Sequence, residues 1–375
     1  MSEQTTLAAV LREPGGALVP QTVRLRPIQA EEVLVRVAGV GICHTDLVSR
    51  DQIIPVPLPI VLGHEAAGVV EDVGADLSDI KPGDKVVLTF ASCGHCPACE
   101  DHLPGYCDQF GALNFLGKRM DGSTAFADDD GPIGSHFFGQ SSFAGHAIAH
   151  RRNIVKVESD LPLELLGPLG CGIQTGAGAV LNSLDCEPGS SLAIFGAGAV
   201  GMSAVLAAAA RGCGPIIVIE PIAARRDMAL SLGATHAFDP RAEADLAVTV
   251  RRIVPRGVDY SLDVTGVPAA IEGAVSVLAK RGTCALVGAP QKAGQTVPIR
   301  FGTFVQNGIR LIGVMEGDGE PQRFISLLLE MQAAGRFPFE KLLTTYDFVQ
   351  IEQAIADQQA GKCLKPVLVH SAISV

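Results

Sequence analysis

Basic charge is the scarce ingredient of this 375-residue chain. Lys and Arg number 29 against 40 Asp and Glu, a formal net charge of −11, and no Lys/Arg cluster interrupts that balance. A nucleic-acid partner is therefore not expected, because a phosphate backbone needs several cations to displace its counterions. Long apolar runs are missing as well. Stretches such as 204–211 fall far short of the roughly 20 residues that cross a bilayer. The opening MSEQTTLAAVLREPGG has neither a basic n-region nor a signal-length apolar core. There is no repeat of solenoid length and no low-complexity tract. Together these absences predict a cytosolic globular protein with no membrane partner.

Glycine and apolar side chains are plentiful: 42 glycines and 47% hydrophobic residues describe tight turns and close packing. The length exceeds what one ordinary core holds, so two domains are expected. Ten cysteines in such a chain read as ligands or reduced thiols before disulfides.

Residues 1–90 read as short strands cut by glycine and proline turns, with EEVLVRVAGVGIC alternating and KPGDKVVLTF a turn followed by a strand. Residues 91–145 hold a cysteine cluster and a glycine- and phenylalanine-rich segment expected to be loop. From residue 172 the pattern changes. SLAIF, IIVIE, HAF, DYSLDV, TCALVG and IRLIGV are strand candidates. Between them lie the helical segments VGMSAVLAAAARG, AARRDMALSLG, EADLAVTVRRIV and PAAIEGAVSVLAKRG. Such alternation predicts an α/β domain, a doubly wound parallel sheet covered by helices. After residue 313 it stops, leaving two helices and a final strand, KPVLVH. The expected organisation is a mostly-β domain over 1–171 with a lobe at 91–110, a nucleotide domain over 172–313, and a return to the first domain over 314–375.

SLAIFGAGAVGMSAVLAAAARG carries G-x-G-x-x-G as Gly196, Gly198 and Gly201. It follows a strand and opens a helix, the context that marks dinucleotide binding. The first glycine permits the turn, the second lets a pyrophosphate approach, and the third packs helix on strand. Glu220, at the end of IIVIE and 19 positions after Gly201, stands where a carboxylate grips ribose hydroxyls and repels a 2′-phosphate. NAD is therefore expected, although Arg225 and Arg226 lie close enough in sequence to meet an extra phosphate. The alternative reading of Glu220 is a polar strand end.

ASCGHCPACEDHLPGYC spaces Cys93, Cys96, Cys99 and Cys107 as C-x2-C-x2-C-x7-C. Four thiolates in so short a loop close a tetrahedron around structural zinc. An iron–sulfur motif also begins C-x2-C-x2-C, but continues with different spacing. His95 and His102, in the same loop, read as solvated side chains.

VLGHEAAGVV buries His64 and Glu65 among glycines and alanines. Ionisable groups so placed need partners. Cys43, in GVGICHTDLVSRD, and Cys171, in GPLGCGIQTG, would complete with His64 an open Cys2His zinc site whose fourth position is left for water or substrate. Taken one at a time, His64 reads as a satisfied core histidine and each cysteine as a small buried hydrophobe.

GHEAAGVVEDVG, CHTD, the four-cysteine lobe, LGCGIQTG and GAGAVG occur here in the order of the zinc-dependent medium-chain alcohol dehydrogenases, which the whole chain resembles. CHTDLVSRDQ and FGALNFLGKRMDGSTAF are similar to the bacterial branch acting on aryl and allylic primary alcohols, the benzyl-alcohol and geraniol dehydrogenases. The resemblance implies a GroES-like catalytic domain beside the Rossmann domain, two zinc ions per chain, NAD, and a homodimer or homotetramer built by joining nucleotide-domain sheets. It also implies roles: Cys43, His64 and Cys171 as catalytic zinc ligands, Glu65 as an alternate ligand behind the metal, and Asp46 orienting His64. Thr45 would accept the substrate proton, His44 face the NAD pyrophosphate, Lys365 reach the cofactor phosphates, and Thr175 lie near the nicotinamide. Many relatives carry a relay histidine five residues after the first zinc cysteine; here that position is Val48.

For the substrate, the phenylalanines of 110–143 and the stretch PVPLPIV suggest an apolar pocket for a small alcohol or aldehyde. Two alternatives stand beside this reading: a dehydrogenase of another alcohol or polyol on the same scaffold, and a non-catalytic protein that binds zinc and NAD. Cys186, Cys213, Cys284 and Cys363 have no evident role and are expected as buried thiols.

Overall fold

A computed structural model describes residues 4–292, 294–298 and 300–370. It divides into two compact units: Met1–Cys171 with Glu320–Ala333 and Leu343–Val375, and Gly172–Gly319 with Ala334–Leu342. The return to the first unit thus begins at Glu320 rather than residue 314, and 334–342 side with the second unit.

The first unit is mostly β. One sheet orders its strands Ile60–Val61, Thr5–Leu11, Val19–Leu25, Phe126–Asp128 and Gly131–Ile133. The other runs Ile154–Lys156, Lys85–Leu88, Ala66–Val73, Glu32–Gly41, Lys365–Val369 and Leu343–Asp347, with His146–His150 also paired to Glu32–Gly41. Glu32–Gly41 is the organising strand. It is buried along nearly its whole length rather than alternating, so both faces of the sheet are covered there, and antiparallel partners flank it on both edges.

Its register decides the site. Val40 pairs with Ala66 and Gly41 with Val367. Residues just beyond those pairs, Cys43, Glu65 and Lys365, are therefore drawn to one end of the sheet. Gly41 has no room for a side chain: a Cβ there would lie 2.2 Å from Glu65 Oε2.

The phenylalanine-rich segment is not plain loop. It contains the helix Phe110–Phe115 and the two short strands of the first sheet. Phe126, Phe137 and Phe143 are fully buried in the core, with Val10, Ile60 and Val61.

In the second unit six parallel strands stand in the order His236–Phe238, Ile216–Ile219, Leu192–Phe195, Val258–Asp263, Leu278–Leu286, Arg310–Gly313. Counted along the chain this is third, second, first, fourth, fifth, sixth, the doubly wound order with its switch beside the first strand. Helices Ala199–Arg211, Ala223–Ser231, Leu246–Ile253 and Pro268–Ser276 connect them. The segment PAAIEGAVSVLAKRG was expected to be all helix, yet it turns to strand at Leu278. Leu278 pairs with Val258 there, and tertiary pairing overrides local helical propensity. Among the described residues no helix is long and apolar enough to cross a membrane.

Candidate active site

The ligand atoms of Cys43, His64, Glu65 and Cys171 lie within 4.8 Å of one another. Cys43 follows the central strand and caps the helix His44–Arg50. His64 and Glu65 directly precede the strand Ala66–Val73, and Cys171 ends the helical turn Gly167–Gly170. Gly170 permits that turn to close on the sheet, since a Cβ there would lie 2.0 Å from the carbonyl oxygen of Leu88.

Asp46 sets the geometry. Its Oδ2 accepts the Cys43 N–H at 2.9 Å, and its Oδ1 meets the Gly63 N–H at 3.0 Å and His64 Nδ1 at 2.9 Å. With Nδ1 engaged, Nε2 is left as the ligand nitrogen. It is buried and has no hydrogen-bond partner among the described residues. A buried orphan nitrogen beside two sulfurs is costly unless a cation occupies the space between them. The donor set of two thiols and one imidazole, with no fourth protein ligand required, fits catalytic zinc.

Charge in this cluster is strongly displaced. Cys171, through its hydrogen bond, draws the Cys43 thiol well below the ordinary range despite burial. Burial pushes the Glu65 carboxyl up to about 7, against the pull of Lys365. Lys365, expected at the cofactor phosphates, has a side chain that is 2% exposed and paired with Glu65, and its Nζ donates to the Ile42 carbonyl at 3.0 Å. Burial opposes its charge, yet the carboxylate of Glu65 and the sulfur of Cys43 raise its pKa.

Thr45 is half-buried, its Oγ1 3.7 Å from Cys43 Sγ, while His44 is exposed at the helix start. Val48 is buried, so the relay position carries no polar atom.

The four lobe cysteines, Cys93, Cys96, Cys99 and Cys107, also bring their sulfurs within 4.8 Å of one another. Cys93 and Cys99 sulfurs are 4.0 Å apart, close to the roughly 3.8 Å edge of a tetrahedron with 2.3 Å zinc–sulfur bonds. Backbone N–H groups of Cys93, Asp108 and Gln109 donate to the sulfurs of Cys107, Cys96 and Cys107 at 3.2, 3.5 and 3.4 Å. These donors favour thiolates, as structural zinc requires. His95 and His102 stay outside: the first meets the Cys93 carbonyl, the second Glu320.

In the second unit the three glycines of the loop differ in their surroundings. Gly196 has φ +97°, and a Cβ on Gly201 would lie 2.0 Å from the Gly196 carbonyl oxygen. A Cβ on Gly198, at the start of the helix Ala199–Arg211, would meet no heavy atom within 4 Å. That open space at a helix N-terminus fits a pyrophosphate. Glu220 is buried at the end of its strand, accepting the Ala197 N–H at 2.8 Å and the Ile222 N–H at 2.9 Å. Arg226 is engaged by the Glu220 carbonyl and by Asp239, whereas Arg225 has no polar partner among the described residues. Thr175, on the helix Gly172–Gly178, is 3.4 Å from Glu316 Oε2. Sequence reasoning overlooked Glu316; its setting, MEGDG, offered only glycines as a signal. Of the four role-less cysteines, Cys186, Cys284 and Cys363 are buried and Cys213 is half-buried.

Comparison with known proteins follows the same division. Residues 29–159 match the alcohol dehydrogenase GroES-like domain and residues 199–333 the zinc-binding dehydrogenase domain. The chain is 52% identical over 363 residues to a geraniol dehydrogenase of Castellaniella defragrans, covering 96% of this chain and 97% of that one. Among solved structures, benzyl alcohol dehydrogenase of Acinetobacter calcoaceticus superposes with a TM-score of 0.95 at 42% identity, covering 98% of this chain and 100% of the other. A zinc-binding domain alcohol dehydrogenase from Burkholderia ambifaria gives a TM-score of 0.95 at 49% identity, with the same coverage.

Proposed function

The chain belongs to the zinc-dependent medium-chain alcohol dehydrogenases, and from that premise we propose that it oxidises aryl or allylic primary alcohols to aldehydes with NAD. The observation that carries the reading is the convergence of Cys43, His64 and Cys171 on one small space, with His64 Nε2 left without a hydrogen-bond partner among the described residues.

In this reading Cys43, His64 and Cys171 hold the catalytic zinc, Glu65 stands by as an alternate ligand, and the lobe cysteines hold the structural zinc. Bound zinc would supply Lewis acidity toward the alcohol and NAD would be the hydride acceptor. Thr45 Oγ1 would accept the substrate's hydroxyl proton while passing its own hydroxyl proton onward. Val48 offers no onward acceptor, so the proton leaves toward solvent without a histidine relay. His44 and the glycine loop receive the pyrophosphate, Thr175 lies by the nicotinamide, and Arg225 lies near the adenosine end.

NAD is favoured over NADP because Glu220 holds a buried carboxylate at the strand end, while Arg226 is already engaged. The substrate class is supported by the geraniol and benzyl alcohol relatives. A homodimer or homotetramer is supported by the edge strand Arg310–Gly313 and by Phe301 and Val305, 78% and 66% exposed nearby in the chain. A cytosolic location accords with the absence of any membrane-length apolar run.

Elemental analysis should give two zincs per chain, and NADH absorbance should rise with benzyl alcohol and geraniol. Equal or better kcat/KM for ethanol and glycerol would overturn the substrate ranking.

A further inference from the structure

Four consecutive carbonyls, from Val61 to His64, are each taken by one segment of the first unit. Ser141 Oγ donates to Val61 at 2.6 Å, Phe143 N–H to Leu62 at 2.9 Å, Ser142 N–H to Gly63 at 2.9 Å, and Gln140 Nε2 to His64 at 2.9 Å. The match is one donor per carbonyl, and the two segments are more than 70 residues apart. Gly63 makes the approach possible: a Cβ there would lie 2.4 Å from the Phe143 nitrogen.

The same segment carries an unusual backbone. His136, Phe138 and Ser141 have φ of 66°, 49° and 50°, a left-handed region that non-glycine residues seldom enter and a bulky one hardly at all. Such conformations persist where surrounding structure imposes them, and they gather at functional sites. The effect of this one is visible. It lays Phe138 flat on the His64 imidazole, ring centroids 4.4 Å apart and planes 24° from parallel. Phe137 meets the same ring edge-on at 5.5 Å. Phe115 backs Phe138 in turn, at 5.3 Å.

His64 is thus held by four separate contacts. Asp46 takes Nδ1, Phe138 covers a face, Phe137 meets the ring edge-on, and Gln140 anchors the carbonyl. Its Nε2 points to the sulfurs of Cys43 and Cys171. The geometry points to segment 136–143 as a strap that preorganises the metal ligand His64, with Phe138 and Gln140 as positioning residues that slow loss of the catalytic zinc. The inference rests on the proposed role of Cys43, His64 and Cys171 as zinc ligands. A ligand ring free to turn away releases its ion sooner than one that cannot, and partners that orient ligating histidines commonly govern affinity by about 10–100-fold.

The test is zinc release from the full-length, zinc-loaded protein to an excess of a chromogenic chelator. Phe138→Leu keeps apolar volume and loses the stacked ring; Phe138→Tyr keeps both; Gln140→Met keeps length and loses the donor. One zinc should leave about tenfold faster from Phe138→Leu and about threefold faster from Gln140→Met. Phe138→Tyr should stay within about twofold of the parent, and the lobe zinc should leave at the parent rate in all three. A merely structural role predicts a lower Tm with both zincs released in parallel, and that result overturns the inference. So does release from Phe138→Leu within about twofold of the parent, or, if that variant does not fold, the same from Gln140→Met. A parent protein holding only the lobe zinc would sink the ligand assignment as well, which separates the two failures.

Discussion

Asp46 Oδ1 lies 2.9 Å from His64 Nδ1, and both side chains are almost wholly buried. One carboxylate fixes the histidine tautomer, binds the neighbouring Gly63 N–H, and with its other oxygen secures the backbone of Cys43. Two ligands distant in sequence are registered through a single side chain.

Replacing that carboxylate should loosen both. Asp46→Ala is expected to weaken catalytic zinc binding by about 10–100-fold and to lower kcat/KM, while lobe zinc is retained. Competition with a chelator of known affinity measures the first, steady-state kinetics the second. Unchanged zinc affinity would contradict the role.

Removing a ligand should separate chemistry from cofactor binding. His64→Ala and Cys43→Ser are expected to cut turnover by about a thousandfold or more, since metal activation supplies several kcal/mol. NAD affinity by calorimetry should stay within about threefold, because the glycine loop and Glu220 belong to the other unit. Near-normal turnover in either variant would mean that zinc does not do the chemistry.

The glycine loop offers a paired comparison. A methyl at Gly198 meets no heavy atom of the described residues within 4 Å, so Gly198→Ala should leave Tm nearly unchanged while raising the Kd for NAD by about tenfold or more, by crowding the pyrophosphate. A methyl at Gly201 would strike the Gly196 carbonyl, so Gly201→Ala should lower Tm by several degrees, as about 1–3 kcal/mol of overpacking does in a domain this size. Equal effects on Tm would remove the distinction.

Away from the zinc cluster, Glu32 is clasped by Arg119 at 2.7 and 2.9 Å. Burial alone would raise its pKa, but His136, Arg119 and the Gln29 N–H hold the carboxyl down at about 2, from an ordinary 4.5. A pKa depressed on folding stabilises the protein fully above 4.5, and that contribution is lost as pH falls from 4.5 toward 2. The stability gap between the parent and Glu32→Gln should therefore narrow by about 3 kcal/mol across this window. Denaturant titrations at stepped pH would show it; a constant gap would refute it.

The residues most directly legible in sequence are those whose partners are local, although Cys43, His64 and Cys171 were also grouped there, by residue type and by resemblance. Cys93 to Cys107 span fifteen residues, so they share a site in almost any fold that accommodates the loop. Gly196, Gly198 and Gly201 act within a single turn, and the alternation after residue 172 announces a parallel sheet because each strand and helix carries its own period. Lys365 is the opposite case. Its charge suggested an exposed phosphate contact, whereas pairing of Gly41 with Val367 buries it against Glu65. Phe138 was invisible as a positioning residue, since a phenylalanine in an aperiodic stretch reads as packing.

The amino-acid order by itself determined the chemistry available: which side chains bind metal, which loop admits a dinucleotide, and which relay position is empty. Only the tertiary structure decided that Cys43, His64 and Cys171 meet, because the last lies 128 positions after the first and chain connectivity imposes no closeness over that span. Strand register does so instead, while segment 136–143 satisfies the buried carbonyls of residues 61–64 that carry His64.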